Sequence, residues 1–587
     1  MSARPAQAPV LAATAVFVVA SALVLAGLHA DRRPEPVFDD QFTHPDADAV
    51  FVTALLPLEV ELSLPARPSA LRMPVWLGDD RRPLRIEVTA RAPGGPSRTA
   101  LTVARETGLA RIAVPDRTPR DARWRLRLTT DATTRETSPR VMWSRDAPRL
   151  PLSVRYGGRP LSAVDVLPDT GPLLMVEYPW PTRWALLLFL VPAALVWPAS
   201  RRGEAARLAW LVALALAATT ASALLWQRDY TRRAAHLDAD RYAQSTEQMA
   251  RYVREPEARP LVGTWFREHP HSTTQLVPAL LLPLALLGVP VPLAYMLLSA
   301  LASWLALLLV RHLARVELHL APGTAWLIVA VVACHPVLLR TFARPVTDAV
   351  GLFLVLATLA LLARRARTQT PRDEAWLALV LLAHPLARPQ GLGYWPFVAL
   401  AVVLCDRVRE ERWPSLGVAA LRQIRLFGPP LAVLVAAHVH FDWWHNLDLM
   451  LAKARRFRLD STLGDFAAAC VGVVQLAPWV GLLAGWSGER RAREAAPSTR
   501  LLAAWGLYAT VLLVAVRAPF WLRHFLPVLP VPFLLAGRGL DRLGGARRAL
   551  GVALLVAPAI GGVVVTLWQI GHLEPLPPWI AAVAAVP

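Results

Sequence analysis

Leu276–Val289, with the sequence LVPALLLPLALLGV, decides how the topology of this chain is assigned. The stretch is about fourteen residues long, whereas a helix needs about 20 apolar residues to cross the hydrocarbon core of a bilayer. Pro278 and Pro283 lie inside it and Pro290 follows it, and a proline removes a hydrogen bond from a helix interior. We therefore predict that this stretch lies at a membrane interface, or enters the membrane without crossing it.

Longer apolar runs surround this stretch along most of the 587 residues. The chain is 55% hydrophobic, and its mean hydropathy is +0.38. This composition is typical of a polytopic α-helical membrane protein. About thirteen transmembrane helices are predicted, at residues 10–29, 182–198, 206–226, 292–311, 322–340, 347–364, 375–388, 392–406, 423–441, 464–486, 500–517, 523–537 and 549–570.

The positive charge predicts which side of the membrane each loop occupies. The net charge of +20 comes almost wholly from arginine, because Lys453 is the only lysine. A nucleic-acid-binding protein can be equally basic, but here the arginines cluster in alternate connections between apolar runs, as in 199–205, 364–367 and 490–493. Such loops are cytoplasmic by the positive-inside rule. Residues 30–181, 227–291 and 442–463 then lie outside, provided that Leu276–Val289 does not cross.

Three segments follow from these patterns. Residues 1–31 are predicted to be an N-terminal signal-anchor helix, with a cleaved signal peptide as the alternative. Residues 32–178 alternate apolar and polar side chains, as in LEVELSL from Leu58, and this period-two pattern predicts an extracytoplasmic β-sandwich. Glycan binding, partner contact and bracing all remain open for it. Residues 179–587 form the main transmembrane domain, with the external loop 227–291.

The external loop contains the candidate chemistry. Its stretch DADRYA at 238–243 places Asp238 and Asp240 just beyond an apolar span. About a hundred residues later, Asp348 stands at the mouth of another span. Because a carboxylate near hydrocarbon is costly, such residues usually line a polar cavity and mark a functional site. A helix through 240–252 would present an apolar face, which suits an amphipathic helix at the membrane surface.

These motifs, taken in order, resemble those of the GT-C glycosyltransferases that use polyprenyl-phosphate sugars. The similarity is to the branch containing lipid A aminoarabinose transferase and protein O-mannosyltransferase, and it covers about residues 205–540. Three features carry it: DADRYA at 238–243, the proline-containing stretch 278–288, and TDAVGLF at 347–353. Two departures stand beside it. The acidic pair common in the family is Asp-Glu, whereas Ala239 follows Asp238 here, and a lysine often found between the later motifs is absent.

The resemblance implies sugar transfer from a polyprenyl-phosphate donor to an envelope lipid, glycan or protein, with inversion. Asp238 is then the candidate general base that takes the proton of the acceptor hydroxyl. Asp348 could orient a substrate, or could share a divalent cation such as magnesium or manganese with Asp238 and Asp240. The sequence leaves a metal-assisted and a metal-free site equally open.

A departing phosphate needs cations, and several arginines are placed to supply them. The external loop after residue 441 contains Lys453, Arg455, Arg456 and Arg458, where positive charge is otherwise disfavoured. Arginine pairs well with phosphate oxygens, so this group is predicted to bind the donor headgroup. Arg344, Arg388 and Arg523 stand at predicted outer helix ends, where contact with lipid headgroups is the alternative role.

Two other functions remain open. A transporter or flippase would use the same intramembrane charges as a substrate path. A non-catalytic scaffold presenting residues 32–178 would leave Asp238 and Asp348 dispensable. The near-exclusive use of arginine is typical of a high-GC bacterial genome, which places the protein in a bacterial inner membrane among lipid partners, with no nucleic acid involved.

Overall fold

The computed structural model describes residues 7–30, 49–52, 54–55, 57–63, 70–77, 82–91, 96–105, 108–115, 123–133, 139–144, 152–156, 159–160, 171–172, 175–177, 203–230, 237–268, 274–345, 347–368, 370–441, 470–483, 497–515 and 525–571. They divide into two compact units. The first is drawn from Met1–Leu28, Arg183–Trp226 and His236–Pro587, and the second from His29–Thr182 and Gln227–Ala235.

The first unit is helical in its described part. Its helices are α1 (Gln7–Ala30), α2 (Glu204–Tyr230), α3 (Leu237–Arg254), α4 (Arg259–Glu268), α5 (Leu276–Leu286), α6 (Val291–His312), α7 (Pro322–Ala333), α8 (Pro336–Thr341), α9 (Asp348–Arg365), α10 (Pro371–Ala387), α11 (Trp395–Glu410), α12 (Leu416–Phe441), α13 (Ala477–Leu483), α14 (Pro497–Ala515), α15 (Pro530–Leu540) and α16 (Gly545–Gly571). The last residues of α1 and α2 belong to the second unit. A π-helical turn, Leu313–Glu317, extends α6, and 3₁₀ turns form at Pro256–Ala258 and Pro389–Tyr394.

Within the described residues, six helical segments are long and apolar enough to cross a membrane. This is the pattern of a multi-pass helical membrane protein. Leu276–Leu286 is not among them, because its 11 residues are too few for a crossing. The six segments are Ala8–Leu28, Ala206–Trp226, Val291–Glu317, Gly391–Glu410, Leu416–His440 and Gly545–Thr566.

The predicted span 322–340 is wrong as a single helix. The chain forms α7 up to Ala333, leaves the helix at Cys334 and His335, and begins α8 at Pro336. A proline disfavours helical backbone in the residue before it, and His335 is accordingly extended with ψ 130°. Its Nδ1 accepts a hydrogen bond from the Val337 backbone N–H, which caps α8.

The helix predicted at 240–252 forms as α3, but its apolar face packs on protein. Tyr242 is 7% exposed, and its ring meets that of Tyr295 on α6 edge to face, with centroids 6.2 Å apart. Ala250 joins the same apolar cluster as Val277 and Leu281 of α5. Tyr242 and Ala250 are therefore buried by α5 and α6, so this part of the amphipathic pattern marks a protein contact, whereas Tyr252 and Val253 near the end of α3 are exposed.

The second unit contains two antiparallel sheets. One has the strand order β1-β8-β3-β12, with β11 paired to β8 and β6 to β3, and the other has the order β10-β9-β2-β7-β4-β5. The strands are β1 (Ala49–Phe51), β2 (Leu58–Ser63), β3 (Ala70–Trp76), β4 (Leu84–Arg91), β5 (Ser97–Ala104), β6 (Gly108–Ile112), β7 (Arg123–Thr129), β8 (Arg140–Ser144), β9 (Leu152–Tyr156), β10 (Arg159–Pro160), β11 (Gly171–Pro172) and β12 (Met175–Glu177). The stretches with period-two alternation from Leu58, Arg85 and Trp124 lie in β2, β4 and β7.

Candidate functional site

A buried ion pair joins Asp348 to Arg388. Asp348 is the first residue of α9 and exposes 2% of its side chain. Arg388 follows the last residue of α10, and its Nη1 donates to Asp348 Oδ1 over 2.6 Å. A carboxylate in such a place needs compensation, which the guanidinium and the N-terminal dipole of α9 supply. The pair joins two residues for which the sequence predicted separate roles.

The helix pair α9–α10 explains why residues 40 positions apart meet. A short connection joins the two helices, and the chain turns back on itself there. The end of α10 therefore lies beside the start of α9. Thr370 begins α10 by accepting a hydrogen bond from the Asp373 backbone N–H. Pro389 ends it, because the residue before a proline avoids helical backbone, and Arg388 is extended with φ −152° and ψ 135°. Arg388 therefore leaves the helix beside Asp348.

Two glycines make room around Arg388. A Cβ atom at Gly351 would lie 3.3 Å from the Arg388 Cδ, so the bare backbone of α9 lets the arginine side chain lie across it. A Cβ atom at Gly391 would lie 2.4 Å from the carbonyl carbon of His384, which no residue with a side chain could accept without a shift. The 3₁₀ turn after Arg388 therefore folds tightly back on the last turn of α10.

A second polar contact lies one helical turn behind Arg388. His384 is 2% exposed, and its Nε2 lies 3.0 Å from Thr358 Oγ1 on α9. The Thr358 hydroxyl donates to the backbone carbonyl of Leu354, so we assign the Nε2 hydrogen of His384 as the donor to Thr358. The ring of Tyr394 packs against that of His384 at 5.3 Å between centroids. This contact ties α9 to α10 one turn of α10 before Arg388.

Helix α3 brings the acidic motif of the external loop to the same place. Tyr242 of this helix shares one apolar cluster with Ala349 and Val350 of α9 and with Ala387, the residue before Arg388. Asp238 lies four residues before Tyr242 on α3, which is about 6 Å along a helix axis. The side chains of Asp238 and Asp240 lie outside the described part of the structure, so their orientation stays a prediction.

Arg254 attaches the short apolar helix α5 to α3. Its Nη2 donates to the backbone carbonyls of Ala285 at 2.8 Å and Leu286 at 2.7 Å. These carbonyls end α5, where a cation stabilises unsatisfied carbonyl groups and the helix dipole. Helix α5 is therefore anchored by a charged side chain of α3, the helix that contains the acidic motif.

Arg344 lies over an aromatic ring. Its guanidinium carbon is 5.2 Å from the ring centroid of Trp226 on α2. Beside it, the backbone N–H of Ala343 donates to Ser222 Oγ over 2.9 Å. These contacts hold the segment before α9 against α2, and the predicted phosphate contact of Arg344 stays a prediction.

Other predicted site residues lie outside the described residues: Lys453, Arg455, Arg456, Arg458 and Arg523. In the part of the chain that the structure describes, no group of three or more His, Cys, Asp or Glu side chains is placed to hold a metal ion. Gly351, Thr358, His384 and Tyr394 were not predicted from the sequence. The glycine in TDAVGLF and the histidine one turn before Arg388 are the signals that could have indicated two of them.

No protein-family model matches this chain, and no curated protein matches it.

Proposed function

We propose that this protein is a membrane glycosyltransferase of the GT-C type. In this proposal it has about thirteen transmembrane helices and an extracytoplasmic β-sandwich at 32–178, and it lies in a bacterial inner membrane. It moves a sugar from a polyprenyl-phosphate donor to an envelope lipid, glycan or protein on the extracytoplasmic face. The observation that carries the proposal is the buried Asp348–Arg388 pair, whose chain neighbours Ala349 and Ala387 share one apolar cluster with Tyr242 of the acidic-motif helix.

Arg388 suits the binding of a phosphate group. Its Nη1 is used by Asp348, and 20% of its side chain is exposed. The guanidinium has five N–H donors, so the others remain for phosphate oxygens. In this role Asp348 is a positioning residue, because it holds the arginine at the helix end and leaves the phosphate to Arg388.

The reaction then follows from these positions. Asp238 accepts the proton of the acceptor hydroxyl, whose oxygen forms a bond to the anomeric carbon from the face opposite the phosphate. The bond between the anomeric carbon and the phosphate oxygen breaks, and its electron pair stays on the phosphate. Arg388 stabilises the added negative charge in a site of low dielectric constant, where such contacts are strong. If the reaction also uses a divalent cation, the candidate ligands are Asp348, Asp238 and Asp240.

The test is sugar transfer by the purified full chain in nanodiscs. Labelled sugars on a set of defined polyprenyl phosphates are offered with total envelope acceptors. Asp238→Asn is expected to lower transfer by about 10²–10⁴-fold, which is the usual contribution of a general base. Glu255→Gln is the matched control, because Glu255 is a half-exposed carboxylate that follows the same helix and pairs with Arg251. Its transfer is expected to stay within about twofold of the wild-type rate.

Two outcomes would overturn the proposal. Equal transfer by Asp238→Asn and wild type would show that Asp238 is not the general base. No transfer with any donor, together with movement of a lipid or solute across the proteoliposome membrane, would make the protein a transporter.

A further inference from the structure

One face of the sheet with the strand order β10-β9-β2-β7-β4-β5 is dominated by arginine. In β4 the residues Leu84, Ile86, Val88 and Ala90 are buried, and those between them point to the opposite, open face. The same alternation exposes every second residue of β7. The exposed side, here called the arginine face, presents Arg85, Arg91, Arg123, Arg125, Arg127 and Arg155. The carboxylates in the same registers are those of Glu59, Glu61 and Glu87.

Most of these arginines are not neutralised within the sheet. Glu59 takes two of them, with Arg125 at 2.5 Å and Arg127 at 3.5 Å. The hydrogen bond to Glu59 raises the pKa of Arg125. Among the described residues, Arg85, Arg91, Arg123 and Arg155 form no ion pair. The face therefore retains positive charge that its own carboxylates do not use.

Two of the unpaired arginines are direct neighbours. Arg91 on β4 stands opposite Arg123 on β7, and Cβ atoms in such pairs are about 4.5–5.5 Å apart. Like charges in this position destabilise a sheet. Ser63 and Ser97 continue the row on the strands to either side, so the row crosses four strands without a carboxylate. An anion lying on this row would relieve the repulsion.

The neighbouring hydroxyl groups suit a sugar polymer. Thr89 and Thr99, in the next row, lie 3.2 Å apart through their hydroxyls. The row of four strands is about 14 Å wide at the usual strand spacing of about 4.8 Å. That width exceeds one phosphate group and matches a few repeats of a linear polymer.

A linear chain fits the face better than the other anionic partners. A flat bilayer would meet the whole face and bring its headgroups against Glu59, Glu61 and Glu87, whereas a chain can follow the row that contains Arg91 and Arg123. The described residues of the face include no aromatic ring on which a nucleobase could stack. We propose that the row Arg123–Arg91–Ser97 binds a linear anionic glycan through its repeating phosphate or carboxylate groups. This binding is independent of the proposed sugar transfer.

Binding is measured on the full chain in phosphatidylcholine nanodiscs, at low and at high salt. The probes are poly(glycerol phosphate), polygalacturonate, neutral dextran and phosphatidylglycerol vesicles. We expect the wild type to bind at least one of the two polyanions and not dextran. The double variant Arg91→Gln with Arg123→Gln is expected to bind about tenfold more weakly and to lose most of the salt dependence.

A charge-matched control separates this row from general basicity. Arg82→Gln with Arg98→Gln also removes two exposed arginines, one just before β4 and one in β5. Arg98 is in register with the buried Ala90, and Arg82 is two residues before the buried Leu84, so both follow the alternation of the opposite face. This control is expected to bind within about twofold of wild type. The Arg91→Gln and Arg123→Gln changes remove a repulsion between like charges. The unfolding temperature of this double variant is therefore expected to equal or exceed that of the wild type.

Three results would overturn the proposal. Equal weakening in both double variants would assign the binding to net charge. Binding of the wild type to anionic vesicles alone would assign the face to a lipid surface. If the wild type bound neither polyanion, the row would not be a glycan-binding site. If the double variant fails to fold, the two single variants are compared with Arg98→Gln in the same assay.

Discussion

Two buried aspartates lie at opposite ends of the α9–α10 helix pair, and arginines neutralise them in different ways. Asp348 at the start of α9 accepts from Arg388, whereas Asp406 on α11 lies 3.2 Å from Arg365, the last residue of α9. Both carboxylates are 2% exposed. The 17 helical steps from Asp348 to Arg365 separate the two ends by about 26 Å.

The Asp406 end is a closed network. Arg422 and Arg409 also approach Asp406, at 3.0 Å and 3.6 Å. Each of its three arginines contacts a second carboxylate, which is Glu374 for Arg365 and Glu410 for the other two. Such a network uses its charges internally and joins α9, α10, α11 and α12.

The Asp348 end differs in its arginine. Arg388 donates to Asp348 and, among the described residues, contacts no second carboxylate. Burial of a charge therefore does not by itself indicate function. The candidate site is distinguished by an arginine that contacts a single carboxylate, at the start of a helix that begins with the second acidic motif.

The largest expected effect falls on the network. Asp406→Asn leaves three arginines without their shared carboxylate, and removing one partner of a buried ion pair costs about 3–5 kcal/mol. We expect a large drop in the free energy of unfolding, measured by denaturant titration in detergent. Transfer per folded molecule should change little. A full loss of transfer in well-folded protein would show that both ends serve the reaction.

Asp348→Asn should reverse this pattern. The variant keeps the shape of the side chain and removes the charge that positions Arg388, so transfer is expected to fall by about 100-fold, in the range seen for lost electrostatic contacts in active sites. The free energy of unfolding should fall less than in Asp406→Asn, because one arginine rather than three loses its carboxylate. The check is the ratio of kcat/KM to that of wild type, beside the unfolding titration. Wild-type kcat/KM would contradict the positioning role.

Gly391→Ala should disturb both stability and transfer. The new Cβ would meet the His384 carbonyl at 2.4 Å, which forces the backbone after Arg388 to shift. Overpacking of this kind costs about 1–3 kcal/mol. We expect a lower unfolding midpoint and about tenfold weaker transfer. Unchanged values of both would show that the turn does not position Arg388.

Gly351→Ala should have the smallest effect. It adds one methyl group beside Arg388 and tests whether the position of that arginine controls transfer. Alanine favours a helix over glycine by up to about 1 kcal/mol, so stability should hold or rise. The Cβ would press on the Arg388 Cδ at 3.3 Å, and transfer is expected to fall about threefold, equal to about 0.7 kcal/mol.

Gly561→Ala is its control, because it lies within α16 with nothing within 4 Å of the added atom. Stability should respond as in Gly351→Ala, while transfer stays at the wild-type rate. Equal transfer by the two variants would separate Arg388 from the reaction.

Local patterns predicted many of the elements. Period-two alternation from Leu58 and Arg85 predicted strands that form, and the acidic residue before an apolar run marked the start of α9. The proline-rich stretch from Leu276 forms a helix too short to cross a membrane. These features follow from hydrogen bonding and hydrophobicity within one segment. The amphipathic face of α3 was a local signal as well, but its pattern could not tell lipid from protein as the apolar partner.

The helical membrane character, the strand alternation and the choice of charged residues to test all follow from the amino-acid sequence. The pairing of Asp348 with Arg388, the packing of Tyr242 against Ala349 and Ala387, and the capping of α5 by Arg254 appear only in the folded chain. The cause is the distance along the chain between the residues that meet. A helix or strand is specified by neighbours within a few residues, whereas these contacts depend on the lengths of two helices, the turn between them and the packing of their faces.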